Sequence, residues 1–199
     1  MENQITEQES LQIIRGMINR AKINLSEGSI FYLIWGWAVL LAVVAQYLML
    51  TIFVTEYHWV VWPALMTLGA VVSILAGRKQ SKKQKYVTFV DHTMGFLWGG
   101  FVIFLFAILL LSSQIGWVNT YLLIIGLYGL GTFVSGGVLR FRPLIIGGVV
   151  SLILAFGGIL AHNSITDFTQ VLLMLGASII CSYLIPGYLL RAKGNAHAA

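Results

Sequence analysis

The chain has one cysteine, Cys181, and three prolines among its 199 residues. A lone thiol excludes an intrachain disulfide and any thiol cluster for a metal, and its place inside an apolar run reads as that of a small packing residue. Charge is equally scarce. Asp, Glu, Lys and Arg make up 10% of the sequence, against roughly 25% in an average soluble domain, which excludes an ordinary soluble fold. No HExxH, GxSxG, P-loop or cysteine pair occurs, and Gly129-Leu130-Gly131 lies within an apolar stretch instead of following a strand. The N-terminus carries Glu2, Glu7 and Glu9 without a basic region ahead of a short apolar run, so no cleaved signal peptide is expected. Neither an enzyme nor a cofactor is expected from this composition.

What the chain has instead is hydrophobic length: 58% hydrophobic residues and a mean hydropathy of +0.87. A helix crossing about 30 Å of hydrocarbon needs roughly 20 apolar residues. Six stretches without Asp, Glu, Lys or Arg meet that need, over 29–54, 59–77, 93–113, 118–139, 144–161 and 168–190. Their apolar runs are continuous and do not alternate, which argues for helices and against a barrel. The sequence therefore predicts an all-α integral membrane protein with six transmembrane helices.

The basic residues predict its orientation, because Lys and Arg of short loops are retained in the cytoplasm. Arg15, Arg20 and Lys22 precede the first span; Arg78, Lys79, Lys82, Lys83 and Lys85 follow the second. Arg140 and Arg142 follow the fourth, and Arg191 and Lys193 the sixth, which accounts for all 12. The alternate connections have none. Both termini are thus expected in the cytoplasm of a bacterial cell, with the spans in its inner membrane. The formal charge of +5 is spread over these loop clusters and forms no folded basic face, so nucleic acid is rejected as a partner.

Residues 1–28 read as a cytoplasmic amphipathic interfacial helix, 29–190 as the transmembrane domain and 191–199 as a short tail. Leu11, Ile14, Ile18, Ala21 and Leu25 recur at spacings of three or four. Thr6 and Glu9 have capping-box spacing, and Gly28 is expected to break the helix before the first span. The helix either docks on anionic headgroups through its basic residues or anchors the bundle.

A weak repeat runs through the spans: Ile34-Trp35-Gly36-Trp37, Leu97-Trp98-Gly99-Gly100 and Ile145-Ile146-Gly147-Gly148. It suggests three parallel-repeat helical hairpins. The three-hairpin pattern resembles, in architecture, small six-helix bacterial membrane proteins of the HdeD acid-resistance type. That resemblance implies a six-helix membrane fold and carries over no site residue.

Candidate sites are few. The fourth span concentrates glycine, with Gly129 and Gly136 among five, and Ser135, Ser178 and Ser182 add hydroxyls. These residues serve close helix packing or, in the rival reading, line a pore. Pro186 is expected to kink or end the sixth helix. Asp91 and His92 either relay protons or cap the third span, where a carboxylate complements the helix dipole. Glu56, His58, His162 and Asp167 offer nitrogen and oxygen ligands on the far side, without local metal-site spacing. Two functions stand against each other. One is a non-enzymatic, self-associating regulatory or scaffold subunit that meets anionic lipid or a cytosolic partner through Arg15, Arg20, Lys22, Arg78, Lys79, Lys82, Lys83 and Lys85. The other is a channel or uniporter-like protein for a small neutral solute or ion.

Overall fold

The computed structural model describes residues 7–81, 89–161, 165 and 167–195, with backbone only for 7–27, 89 and 195. Every regular element among them is helical. In order they are α1 (Glu7–Thr51), a 3-10 turn (Glu56–Val60), α2 (Val61–Ser81), α3 (Phe89–Ile115), α4 (Trp117–Val138) and α5 (Arg142–Leu160). The last stretch is a single long helix in three parts: α6 (Phe168–Ile179), a π-helical turn (Ile180–Leu184) and α7 (Ile185–Asn195).

Six of these stretches are long and apolar enough to cross a membrane: Gly28–Thr51, Glu56–Ser81, Val90–Ile115, Trp117–Val138, Arg142–Leu160 and Phe168–Gly194. They reproduce the predicted spans to within a few residues, save where a helix runs on past its apolar part. Their outward surface is apolar; on α3 alone Phe96, Ile103, Phe106 and Leu110 are exposed. Water would not tolerate that much contiguous hydrocarbon on a monomer. A multi-pass membrane protein is consistent with both features.

One local expectation is corrected and a second is narrowed. The helix does not break at Gly28, because α1 is continuous through it. One mid-helix glycine costs only about 1 kcal/mol relative to alanine, less than the hydrogen bonds on either side contribute. The Leu11 to Leu25 stretch therefore belongs to the same helix as the first span, which itself begins at Gly28. Pro186 does not end the sixth helix either, since α7 carries it on to Asn195. Proline clashes with the carbonyl four residues back, here that of Ser182, and Ser182 lies in the π-helical turn. The Ile185 N–H reaches back to the Ile180 carbonyl, a five-residue step that widens the helix just before the ring.

The core is uneven. α4 is its hub, 61% buried over its span, and packs on α3, α5 and α6. α1 closes the other side against α2, α6 and α7. α2 and α3 are peripheral, at 6% and 11% buried, so the three hairpins do not share one environment. Glycine explains the tight pairing of α4 with α5. A Cβ on Gly148 would lie 2.5 Å from Phe133 N, and one on Gly136 2.7 Å from Ile145 N. A Cβ on Gly147 would meet the Cys181 carbonyl of the π-helical turn. Backbones this close gain dispersion contact that lipid cannot supply.

Candidate functional site

Because consecutive spans alternate in direction, the described cations Arg78, Lys79, Arg140, Arg142, Arg191 and Lys193 all come to one end of the bundle. Glu56, His58 and Asp167 come to the other. Three polar clusters lie between.

The first sits near the acidic end. Gln46 of α1 is 2% exposed, and an amide there must find partners. Its Oε1 accepts from Trp62 Nε1 (2.6 Å) and from the Tyr121 hydroxyl (3.1 Å). Its Nε2 faces His58 Nδ1 at 3.0 Å. Trp62 stands edge-on to Tyr121, and Tyr121 to Phe168, at centroid distances of 5.8 and 4.9 Å. One glutamine thus ties α1, the 3-10 turn, α2 and α4 together.

The second is a phenol cluster deeper in the bundle. Tyr183 of the π-helical turn is ringed by Tyr32 (5.8 Å), Trp98 (6.2 Å) and Tyr128 (5.3 Å). Phe101 packs on Trp98 and Tyr128. Tyr32 also stands edge-on to Trp98 at 6.0 Å. The Tyr183 hydroxyl is buried and has no hydrogen-bond partner.

The third is a serine ladder between α5 and the sixth helix. Ser178 Oγ donates to Ser151 Oγ at 2.7 Å, and Ser182 Oγ donates to the Ser178 carbonyl at 2.7 Å. All three residues are fully buried.

The predicted site residues divide accordingly. Ser178 and Ser182 meet in the ladder, while Ser135 gives its own proton to the Gly131 carbonyl at 2.7 Å. Gly129 faces Leu152 N and the Gly148 carbonyl, where an added Cβ would lie at 2.9 and 3.0 Å. Gly129 and Gly136 are thus contact points of α4 with α5. Asp91 and His92 open α3, and the His92 ring stands edge-on to Phe96 at 4.9 Å. Arg78 and Lys79 close α2 in exposed positions. Arg15, Arg20 and Lys22 lie on α1, with side chains outside the description, and Lys82, Lys83 and Lys85 lie outside the described residues.

Of the four far-side ligand candidates, His162 lies outside the described residues. His58 is engaged by Gln46, and Asp167 caps α6 by accepting from Thr169 N (3.3 Å) and Thr169 Oγ1 (2.6 Å). Those bonds hold the Asp167 carboxyl below its usual range, the side-chain bond first and the backbone bond second. Among the described residues no three His, Cys, Asp or Glu side chains gather as a metal site would need.

The tyrosines were missed by sequence reasoning. A signal was there: Tyr121, Tyr128 and Ser135 follow at seven-residue intervals on α4, as do Tyr32, Val39 and Gln46 on α1, which puts each set on one helix face. No protein-family model, curated protein or solved structure matches the chain.

Proposed function

We propose that the chain is a six-span protein of the bacterial cytoplasmic membrane, with both ends in the cytoplasm, acting as a non-enzymatic scaffold or regulatory subunit. It meets anionic lipid or a cytosolic partner through its basic end. The observation that carries this reading is the bond from Ser178 to Ser151 at 2.7 Å between two fully buried residues. Hydroxyls that line a pathway face water, whereas these are spent on each other, as hydroxyls joining helices are. The same holds for Gln46, whose amide is used up within the bundle. Among the described residues the exposed cations Arg78, Lys79, Arg140, Arg142, Arg191 and Lys193 are concentrated at the basic end. The orientation is supported by the one-sided Lys and Arg, because such loops resist translocation.

Two measurements test the proposal. A green fluorescent protein fused to the C-terminus should fluoresce while a periplasm-dependent alkaline phosphatase fused there stays inactive; the reverse pattern refutes the orientation. Liposomes containing the purified protein should take up small neutral solutes and ions no faster than empty ones. Saturable, selective uptake would establish the permeation protein in place of the scaffold.

A further inference from the structure

The turn between α4 and α5 holds an arginine where helices ordinarily end in glycine. Arg140 N donates to the Gly137 carbonyl (3.2 Å) and Phe141 N to the Gly136 carbonyl (2.9 Å), the paired bonds of a Schellman motif. Arg140 occupies its left-handed position, at φ 50°. An L side chain there crowds the backbone, so a non-glycine residue points to a task for the side chain.

Other cations share its surroundings. Arg142 opens α5, and Phe141 between the two arginines is buried. Lys193 Nζ of α7 lies 5.6 Å from the centroid of the Phe141 ring, which brings the last turn of α7 to the α4–α5 turn. Arg140, Arg142 and Lys193 are exposed. No Asp or Glu occurs in α4, the turn, α5 or α7. From Arg142 the exposed side of α5 continues at helical spacing through Ile146, Val149, Ile153, Phe156 and Leu160. Ile153 lies 11 residues beyond Arg142, about 16 Å along the helix, roughly the depth of one leaflet.

We infer that this turn is a headgroup site for an anionic phospholipid. The phosphate lies among Arg140, Arg142 and Lys193, and an acyl chain runs against Ile146, Val149 and Ile153. The charge and the apolar stripe belong to one continuous surface, which fits a lipid; a soluble phosphate would use only the cations. This site rests on the proposed bilayer placement and names a ligand for the basic end.

The test uses the full chain, delipidated in a neutral detergent and titrated with phosphatidylglycerol, with phosphatidylcholine of the same acyl chains, or with inorganic phosphate. Native mass spectrometry reads bound lipid per protein. Phosphatidylglycerol should bind in preference to phosphatidylcholine. The R140Q/R142Q double variant should weaken it about tenfold, and R78Q/K79Q, which removes equal charge from the end of α2, should change it less than about twofold. Arg140→Gly gives the turn its favoured residue, so it should fold at least as well and still bind the lipid less. Equal binding of the two lipids, equal loss in both double variants, or inorganic phosphate binding as tightly as phosphatidylglycerol would each overturn the site. The orientation reporter is read separately: a periplasmic C-terminus refutes the proposed placement, while the titration in detergent still decides the site.

Discussion

Gln46 of α1 and Tyr121 of α4 are joined by a hydrogen bond of 3.1 Å, each at one end of a stripe at seven-residue intervals whose other end is Tyr32 on α1 and Ser135 on α4. From Tyr32 to Gln46 is 14 residues along α1, and from Tyr121 to Ser135 is 14 along α4. The two ends of each stripe therefore lie about 21 Å apart along the helix. Val39 and Tyr128, both buried in the core, fall halfway along their stripes. Among the described residues α1 and α4 share no close backbone contact, so it is side chains reaching inward from the two stripes that join them.

The Gln46 cluster should behave as one unit. Gln46→Leu strands the Trp62 N–H and the Tyr121 hydroxyl, and each stranded group costs about 1–3 kcal/mol, less where the unfolded chain in lipid finds other partners. Unfolding in mixed micelles should show a loss of about 2 kcal/mol for Gln46→Leu and about 1 kcal/mol for Tyr121→Phe. The double variant should lose less than their sum, since the second change removes a donor the first has already stranded. Simple additivity would mean that the bond does not link the helices.

Tyr183 should give the opposite result. Its hydroxyl is buried without a partner, so the folded state bears the desolvation cost with no bond in return. Tyr183→Phe keeps the ring against Tyr32, Trp98 and Tyr128 and should leave stability unchanged or raise it by about 1 kcal/mol. A loss of that size in the same unfolding assay would count against an unpartnered hydroxyl.

The spans were legible because an uncharged stretch of about 20 residues has few fates other than a membrane helix. Two places in the bundle were also written in composition: α4, the least apolar of the six, is the most buried, and α3, the most apolar, lies at the periphery, whereas α2 is the least buried with the same hydropathy as the α1 span. In lipid the inner helix needs small and polar residues for contact, and the outer one needs hydrocarbon. Gly28 was misread because it was judged by local preference, and for Pro186 local preference left open whether the helix would end. Gly28 is overridden by helix on both sides, and Pro186 is accommodated by a π-helical turn that no residue pattern announces. Periodicity gave faces but not neighbours, so the Tyr121, Tyr128 and Ser135 stripe could not be matched to its counterpart on α1.

Glycine positions can be separated by what an added methyl group meets. Gly148→Ala places a Cβ 2.5 Å from the Phe133 backbone nitrogen, which no side-chain rotation relieves, so α4 and α5 must part. The expected cost is about 1–3 kcal/mol. Gly99 on α3 has nothing within 4 Å of that position. Gly99→Ala should therefore be neutral or stabilise the helix by up to about 1 kcal/mol. Comparing thermal unfolding of the two variants in detergent checks the pair, and equal effects would contradict the close approach of α4 to α5.

Asp167 gives a pH dependence of known sign. Its carboxyl is held below its usual value by the bonds from Thr169, so the ionised form is favoured in the folded state. The stabilisation is fully present above the ordinary carboxylate pKa of about 4 and is lost as pH falls through the lowered folded value. Asp167→Asn can still accept from the Thr169 N–H but carries no titrating group, so it should remove this contribution to acid sensitivity while leaving the cap in place. Asp167→Ala removes both and should fray the start of α6 at neutral pH, seen as faster hydrogen exchange of the Thr169 and Gln170 amides. If wild type and Asp167→Asn lose stability in parallel between pH 5 and pH 2, the cap does not depend on the charge.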